Sequence, residues 1–357
     1  MVTAYKTIRD WLSGWHYLEE QPVSKKEVEE LVKRGSVSGP PFYFMLITSS
    51  VIATLGLLSN SAAVIIGAMI IAPLMSPIVA VSYWLLTGKR NLLFRSLLTV
   101  FVGTVVSIAV AFLITILIGW KLAGSEIIAR MSPNLLDLGV ALAAGAAAGF
   151  AYTRSGVSNS FAGIAIAVAL VPPLCTVGIA MAVGQDVSAE IGMDVESFDP
   201  LGPLLLYITN FIGIVFSASI VFFWQYFRRE LRPILILMFT LIGLTIVVYP
   251  LGISMKNLMI RNQIRRNLMV IAIDLLPDYS NVRLRNLTVR IGKDVILVKA
   301  NAIAPPGMIT ESFINETRNR LTEVVGKPVV LEVGIYFMSV IRSKDDLPDL
   351  KRKEGFP

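Results

Sequence analysis

Two proline-broken stretches carry the residues most able to do chemistry. In the first, Ala72, Pro73, Ser76 and Pro77 interrupt an apolar run that begins near Ala62 and continues to Leu86. In the second, Pro172, Pro173, Cys175 and Thr176 interrupt the run from Phe161 to Val183. Proline removes a backbone donor and clashes with the preceding turn, so both helices are expected to break there. Pro73 lies roughly 17 Å along a helix starting at Ala62, near the middle of a bilayer core about 30 Å thick. At that depth a helix break is tolerated only against protein or a water-filled cavity. The chemistry on offer is non-covalent. Ser76 and Pro77 can start a second half-helix, whose positive end suits an anion. The carbonyls ending the first half, near Ile71 and Leu170, suit a cation. Thr209 and Asn210, on a later apolar segment, are candidates for the same lining.

The two stretches are copies of one pattern. Ser59-Asn60-Ser61 opens the first and Ser158-Asn159-Ser160 the second, and Pro73 and Pro172 follow at equal distance. Farther on, Thr99 to Phe112 aligns with Thr209 to Phe222, with threonine, phenylalanine, glycine, valine and serine at matching places. Two matches in the same order indicate an internal duplication.

The rest of the chain must position these stretches in a membrane. The 357 residues are 55% hydrophobic with a mean hydropathy of +0.69, too apolar for a water-soluble domain. Seven spans are expected, at about 42–58, 62–86, 92–118, 135–152, 161–183, 204–227 and 234–249. Spans one to three and four to six form the two repeats. Each has an odd number of crossings, so the second must be inverted, as in secondary transporters with a midplane site. The expected fold class is therefore an α-helical polytopic membrane protein, with two inverted three-span repeats containing broken helices, a seventh span and a small α+β C-terminal domain.

Residues 1–40 form a polar, amphipathic N-terminal tail, 41–252 the transmembrane domain, 253–341 the small soluble domain and 342–357 a charged tail. In the soluble domain, strands at 282–291, 294–303 and 328–340 and a helix from Thr310 to Val325 give a β-β-α-β order. Lysine and arginine concentrate in the tail and in the loops that odd span numbering places with it, such as Lys89, Arg90, Arg95 and Arg154. This bias predicts a cytoplasmic N-terminus in an integral cell membrane. Seven spans would then carry the C-terminal domain across, against which Lys256, Arg261, Arg265 and Arg266 argue.

A formal charge of +7 confined to tails and loops points to anionic membrane lipid as partner and away from nucleic acid. His16 is the sole histidine and Cys175 the sole cysteine, so a His/Cys metal cluster and a disulfide are excluded. Without a Walker loop, a metalloprotease motif or a Ser-His-Asp set, no enzyme is expected and no cofactor is indicated. Asp137, in the first turn of span four, reads as a helix-dipole partner. Gly145 and Gly149 read as a packing face, and homo-oligomerisation is expected. Arg283, Arg285, Arg290 and Lys293 could hold an anionic ligand such as a nucleotide or a lipid headgroup. That possibility motivates a second reading, of an oligomeric membrane sensor or scaffold.

The segments Gly67-Ala68-Met69 and Ala72-Pro73-Leu74-Met75-Ser76-Pro77, with Ala169-Leu170-Val171-Pro172-Pro173 later, resemble the motifs of the domain of unknown function 389 family. The resemblance covers about Phe42 to Arg229. It implies a polytopic membrane protein and brings neither substrate nor catalytic residue. Function thus rests on the residues themselves, which predict a transporter or channel for a small solute or ion.

Overall fold

The computed structural model describes residues 23–119, 122–154, 170–184, 188–189, 199–228, 230–275, 283–292, 295–304 and 307–336. Two compact units divide between Leu258 and Met259.

The first unit is helical. Helix α1 (Lys25–Gly35) starts at Ser24, whose hydroxyl accepts from Glu27 N, and buries Val28 and Val32 one turn apart. It packs on α4. Helix α2 (Pro40–Leu58) takes its start from Pro40 and Pro41, which cost nothing in a first turn. Span two is α3 (Ala62–Ile71) followed by α4 (Met75–Thr87), bent by 52° at the break between them. Helix α5 (Arg90–Ile118) turns small residues inward, with Ser96, Thr99, Gly103, Ser107, Ala111 and Thr115 buried along one stripe, and leaves Phe94, Phe101 and Leu117 facing out. Small residues on the inner face are what close helix contact in lipid requires.

A short strand β1 (Leu122–Ala123) leads into α6 (Ser125–Met131), and pairs in parallel with β2 (Ser188–Ala189). Helix α7 (Leu135–Tyr152) opens with a capping box, in which Asn134 accepts from Leu136 N and Asp137 accepts from Asn134 N. Asp137 thus has the structural role expected of it. Helix α8 (Val171–Val183) covers the second half of the expected span five; the expected first half, with Ser158-Asn159-Ser160, lies outside the described residues. Helix α9 (Leu201–Phe222) ends in a π-turn at Phe223–Phe227.

Five helices are long and apolar enough to span a bilayer among the described residues, or six if the bent pair is counted as one span. Span seven differs from expectation, because α10 (Leu231–Leu275) runs through Pro250 without ending there. Helices in apolar surroundings keep their remaining hydrogen bonds because no water competes for them, so one missing donor does not stop the chain. Leu244, Val247 and Leu251, on either side of the proline, share a buried cluster with Leu138 of α7.

The second unit is the small α+β domain. Strands β3 (Arg283–Ile291), β4 (Ile296–Ile303) and β5 (Val329–Tyr336) lie in that order, β3 antiparallel and β5 parallel to the central β4. Helix α11 (Glu311–Val325), capped by Thr310 and stopped by Gly326 at φ 70°, makes the parallel crossover. The C-terminal turns of α10 complete the core. Ile264, Leu268 and Ile271 pack with Val289, Ile296, Val298, Leu321 and Val329. Arg320 of α11 bonds Asp274 of α10 at 2.6 Å, tying the two helices. Leu321 is fully buried, so Leu321→Ala is expected to destabilise this unit by about 2–5 kcal/mol. Amide exchange in β4 should then accelerate, with exchange in α5 unchanged.

Candidate functional site

In apolar surroundings each buried hydroxyl needs a partner, and α2 meets this demand within its own helix. Ser50 Oγ donates to Leu46 O at 2.8 Å and Thr54 Oγ1 to Ser50 O at 2.7 Å. Ser50 and Ser107 hydroxyls lie 3.1 Å apart, joining α2 to α5. Cys175 Sγ donates to Ser50 O at 3.6 Å and also contacts the Thr54 hydroxyl. Ser50, Thr54, Ser107 and Cys175 therefore form a buried, uncharged polar cluster beside the start of α8, all at 0% exposure. The adjacent Ser49 hydroxyl caps the other half-helix, donating to Ala68 O at 2.7 Å.

The breaks themselves differ in detail from expectation. Helix α4 starts at Met75 with Leu74 at its N-cap and no side-chain cap, so Ser76 is not the capping residue and Pro77 sits inside the first turn. Proline fits there because first-turn N–H groups have no helical partner to lose. Ala72 and Pro73 form the unwound link and are half-buried. In α8, Pro172 and Pro173 occupy the first turn after Val171 and remove two of its donors. That helix end therefore presents a dipole but few N–H groups. Pro73 and Pro77 likewise leave the carbonyls of Met69 and Pro73 without their usual helical donors.

Ser76 and Cys175, which stand at equal distances after Pro73 and Pro172, have different surroundings. Ser76 is exposed; it shares a hydrogen bond with Tyr152 of α7, and Gly35 of α1 approaches it closely enough that a Cβ on Gly35 would lie 3.2 Å from Ser76 Cβ. Cys175 is buried among α2 residues. The described partners of Ser76 and Cys175 are not shared. Thr176 and Thr209 hydroxyls are engaged by their own helices, at Pro172 O (2.9 Å) and Leu205 O (2.7 Å), and Asn210 is buried. Ser76 and Cys175, one at each break, thus have separate described surroundings.

Sequence reasoning passed over Ser50, Thr54, Ser107 and Tyr152. Ser50 and Thr54, four apart in a strongly apolar span, were the available signal, because such a pair lies on one helix face. Ser107 was visible as the repeat partner of Ser217. In the second unit, register pairs Arg283, Arg285 and Arg290 with Ile303, Asn301 and Leu297 of β4. Lys293 lies outside the described residues. A separate concavity gathers Met259, Asn262, Arg265 and Arg266 on α10.

Apolar spans, a bent helix pair, a buried hydroxyl cluster between spans and an appended α+β unit define a polytopic helical membrane protein. Residues 69–216 match the family model described as domain of unknown function (DUF389). An uncharacterised protein of Methanocaldococcus jannaschii is 30% identical over 178 residues, which are 50% of this chain and 52% of that protein. The chain thus spans about half the length of this relative.

Proposed function

We propose that this protein is a transporter or channel for a small solute or ion, with its site between the two broken spans of an inverted repeat. The observation that carries the reading is a set of equivalent contacts. At the spacing that takes Ser59 to Ser158, Leu46 and Ser50 of α2 fall on Gly145 and Gly149 of α7. Leu46 and Ser50 contact Gly103 and Ser107 of α5, while Gly145 and Gly149 contact Ile214 and Ala218 of α9, one residue beyond the α5 equivalents. The broken spans exchange partners in the same way. Ser82 of α4 accepts from Ser219 of α9 at 3.4 Å, and Gly178 of α8 lies against Ile108 of α5. Ser76 touches Tyr152, whose equivalent is Ala53, flanked by the Cys175 contacts Ser50 and Thr54. Each break therefore leans on the first span of the other repeat, an arrangement in which two opposed half-helices approach one midplane region.

The polar groups favour a cation over an anion. Prolines remove donors at both helix starts and free carbonyls, and the hydroxyls of Ser50 and Thr54 donate to carbonyls of their own helix. The N-terminus and the loop at Lys89 and Arg90 are assigned to the cytoplasm by their positive charge. The test is solute flux in liposomes containing the purified protein, with potassium, sodium, chloride and phosphate as probes. Flux of potassium or sodium above that of protein-free liposomes is expected. Flux of none of the four would count against the reading.

Self-association belongs to the same proposal but must use another surface, because α9 occupies the Gly145–Gly149 face. The sensor reading is favoured by one observation, the concavity at Asn262, Arg265 and Arg266. Titration with phosphate, followed by thermal unfolding, should then stabilise the wild-type protein and leave Arg265→Ala/Arg266→Ala unmoved.

A further inference from the structure

The duplication reaches one element beyond the spans. At the spacing that takes Ser59 to Ser158, Lys26–Val32 of α1 falls on α6, Ser125–Met131. Glu27 meets Glu126, and the apolar pair Val28 and Val32 meets Ile127 and Met131. The pair has the same use in both helices. Val28, Val32 and Ile127 are at most 1% exposed and Met131 packs on the same core. Each helix also contacts the second half of its own repeat's broken span, α1 on α4 and α6 on α8.

We propose that α1 and α6 are repeat-related gates, one at each side of the membrane, and that α6 closes the path to the break at Cys175. This rests on the transport reading above. Asn60 holds α6 in place. It adopts the left-handed region (φ 53°), and its Oδ1 accepts from Glu126 N at 2.9 Å and from Ser125 Oγ at 3.1 Å. Gly124 leaves room for it, since a Cβ there would lie 2.6 Å from Asn60 Cγ. Ile127 belongs with Leu57, Cys175 and Ile179 to the large apolar core of this unit. Thr54, which touches Cys175, lies six residues before Asn60, about 9 Å along the chain's helical rise. The two breaks differ as a pair of gates in opposite states would. Ser76, beside α1, is exposed, whereas Cys175, on the helix that α6 contacts, is at 0%.

Cys175 is the only cysteine, so the native protein carries its own reporter. In sealed proteoliposomes a membrane-impermeant maleimide should leave wild-type Cys175 unmodified. Asn60→Ala loses both hydrogen bonds and places alanine in a left-handed conformation. Labelling is expected to rise about ten-fold, only from the face opposite the N-terminus. Asn60→Asp, which keeps the acceptor, should stay near wild type, and Ile127→Ser, which keeps the latch but spoils the seal, should also label. Rapid labelling of the wild type would overturn the proposal. So would an inert Cys175 in both Asn60→Ala and Ile127→Ser when amide exchange shows α6 loosened. In that second case, if Ser76→Cys still reacts from the cytoplasmic side, the transport reading stands and the gate alone fails. Labelling of Cys175 in Asn60→Ala while Ser76→Cys reacts from neither side would support the gate and remove the through-path.

Discussion

Gly145→Leu is expected to lower the melting temperature by on the order of ten degrees. Gly145 faces α9 so closely that a Cβ would overlap the Ser217 hydroxyl and the Ile214 backbone. Backbone cannot rotate away, so the helices must separate, and separation also strips the contacts at Gly149 and Gly213. Overpacking of a tight core typically costs 1–3 kcal/mol, and this position belongs at or above the top of that range. For a domain of this size about 3 kcal/mol lowers the melting temperature by on the order of ten degrees. Gly139 lies in the same helix with nothing near its Cβ position. Gly139→Ala is therefore expected to be neutral or slightly stabilising. Thermal unfolding of the two variants in detergent checks both halves of the argument. Equal melting temperatures would mean that α7 and α9 are not in close contact.

The largest functional effect is expected from Pro73→Ala combined with Pro172→Ala. Each alanine restores a donor and removes a ring that blocks the preceding turn, so the unwound link at Ala72–Leu74 can wind into helix. The half-helix end at Ala72 and the missing donor to the Met69 carbonyl then disappear. Flux through the reconstituted protein should fall at least ten-fold, while helix content stays level or rises. Because Pro172 is fully packed and Pro73 only half-buried, the single Pro73→Ala variant should fold more readily than Pro172→Ala. Unchanged flux in the folded double variant would show that the breaks serve packing alone.

Much of this architecture is legible in the residues, and the reasons are physical. Helix α7 starts where Asn134 and Asp137 form a capping box, although by sequence Asp137 reads only as a helix-dipole partner. The β-β-α-β order follows from strand alternation, the Thr310 cap and Gly326. The break at Pro73 is visible because proline has a single backbone consequence. What stays hidden depends on tertiary contact. Proline marks a weak point in α10 at Pro250, yet packing at Leu244, Val247 and Leu251 carries the helix across it. Ser76 looks like a cap by type, but the helix starts at Met75, where no side chain caps it. The polar cluster escapes notice because Ser50 and Thr54 are ordinary residues until Cys175 and Ser107 are brought beside them. Helix α6 is too short for periodicity to reveal, and only its alignment with α1 shows what it repeats.

The most direct measurement of the central claim is the reactivity of a single cysteine at the exposed break. Ser76→Cys in a Cys175→Ala background, in sealed proteoliposomes of known orientation, would be treated with a membrane-impermeant maleimide from each side in turn. A water-filled path predicts rapid modification from the N-terminal side and none from the other. A cysteine that reacts from neither side, and only after the protein is unfolded, would mean that Ser76 faces lipid or packed side chains and that no path reaches the break.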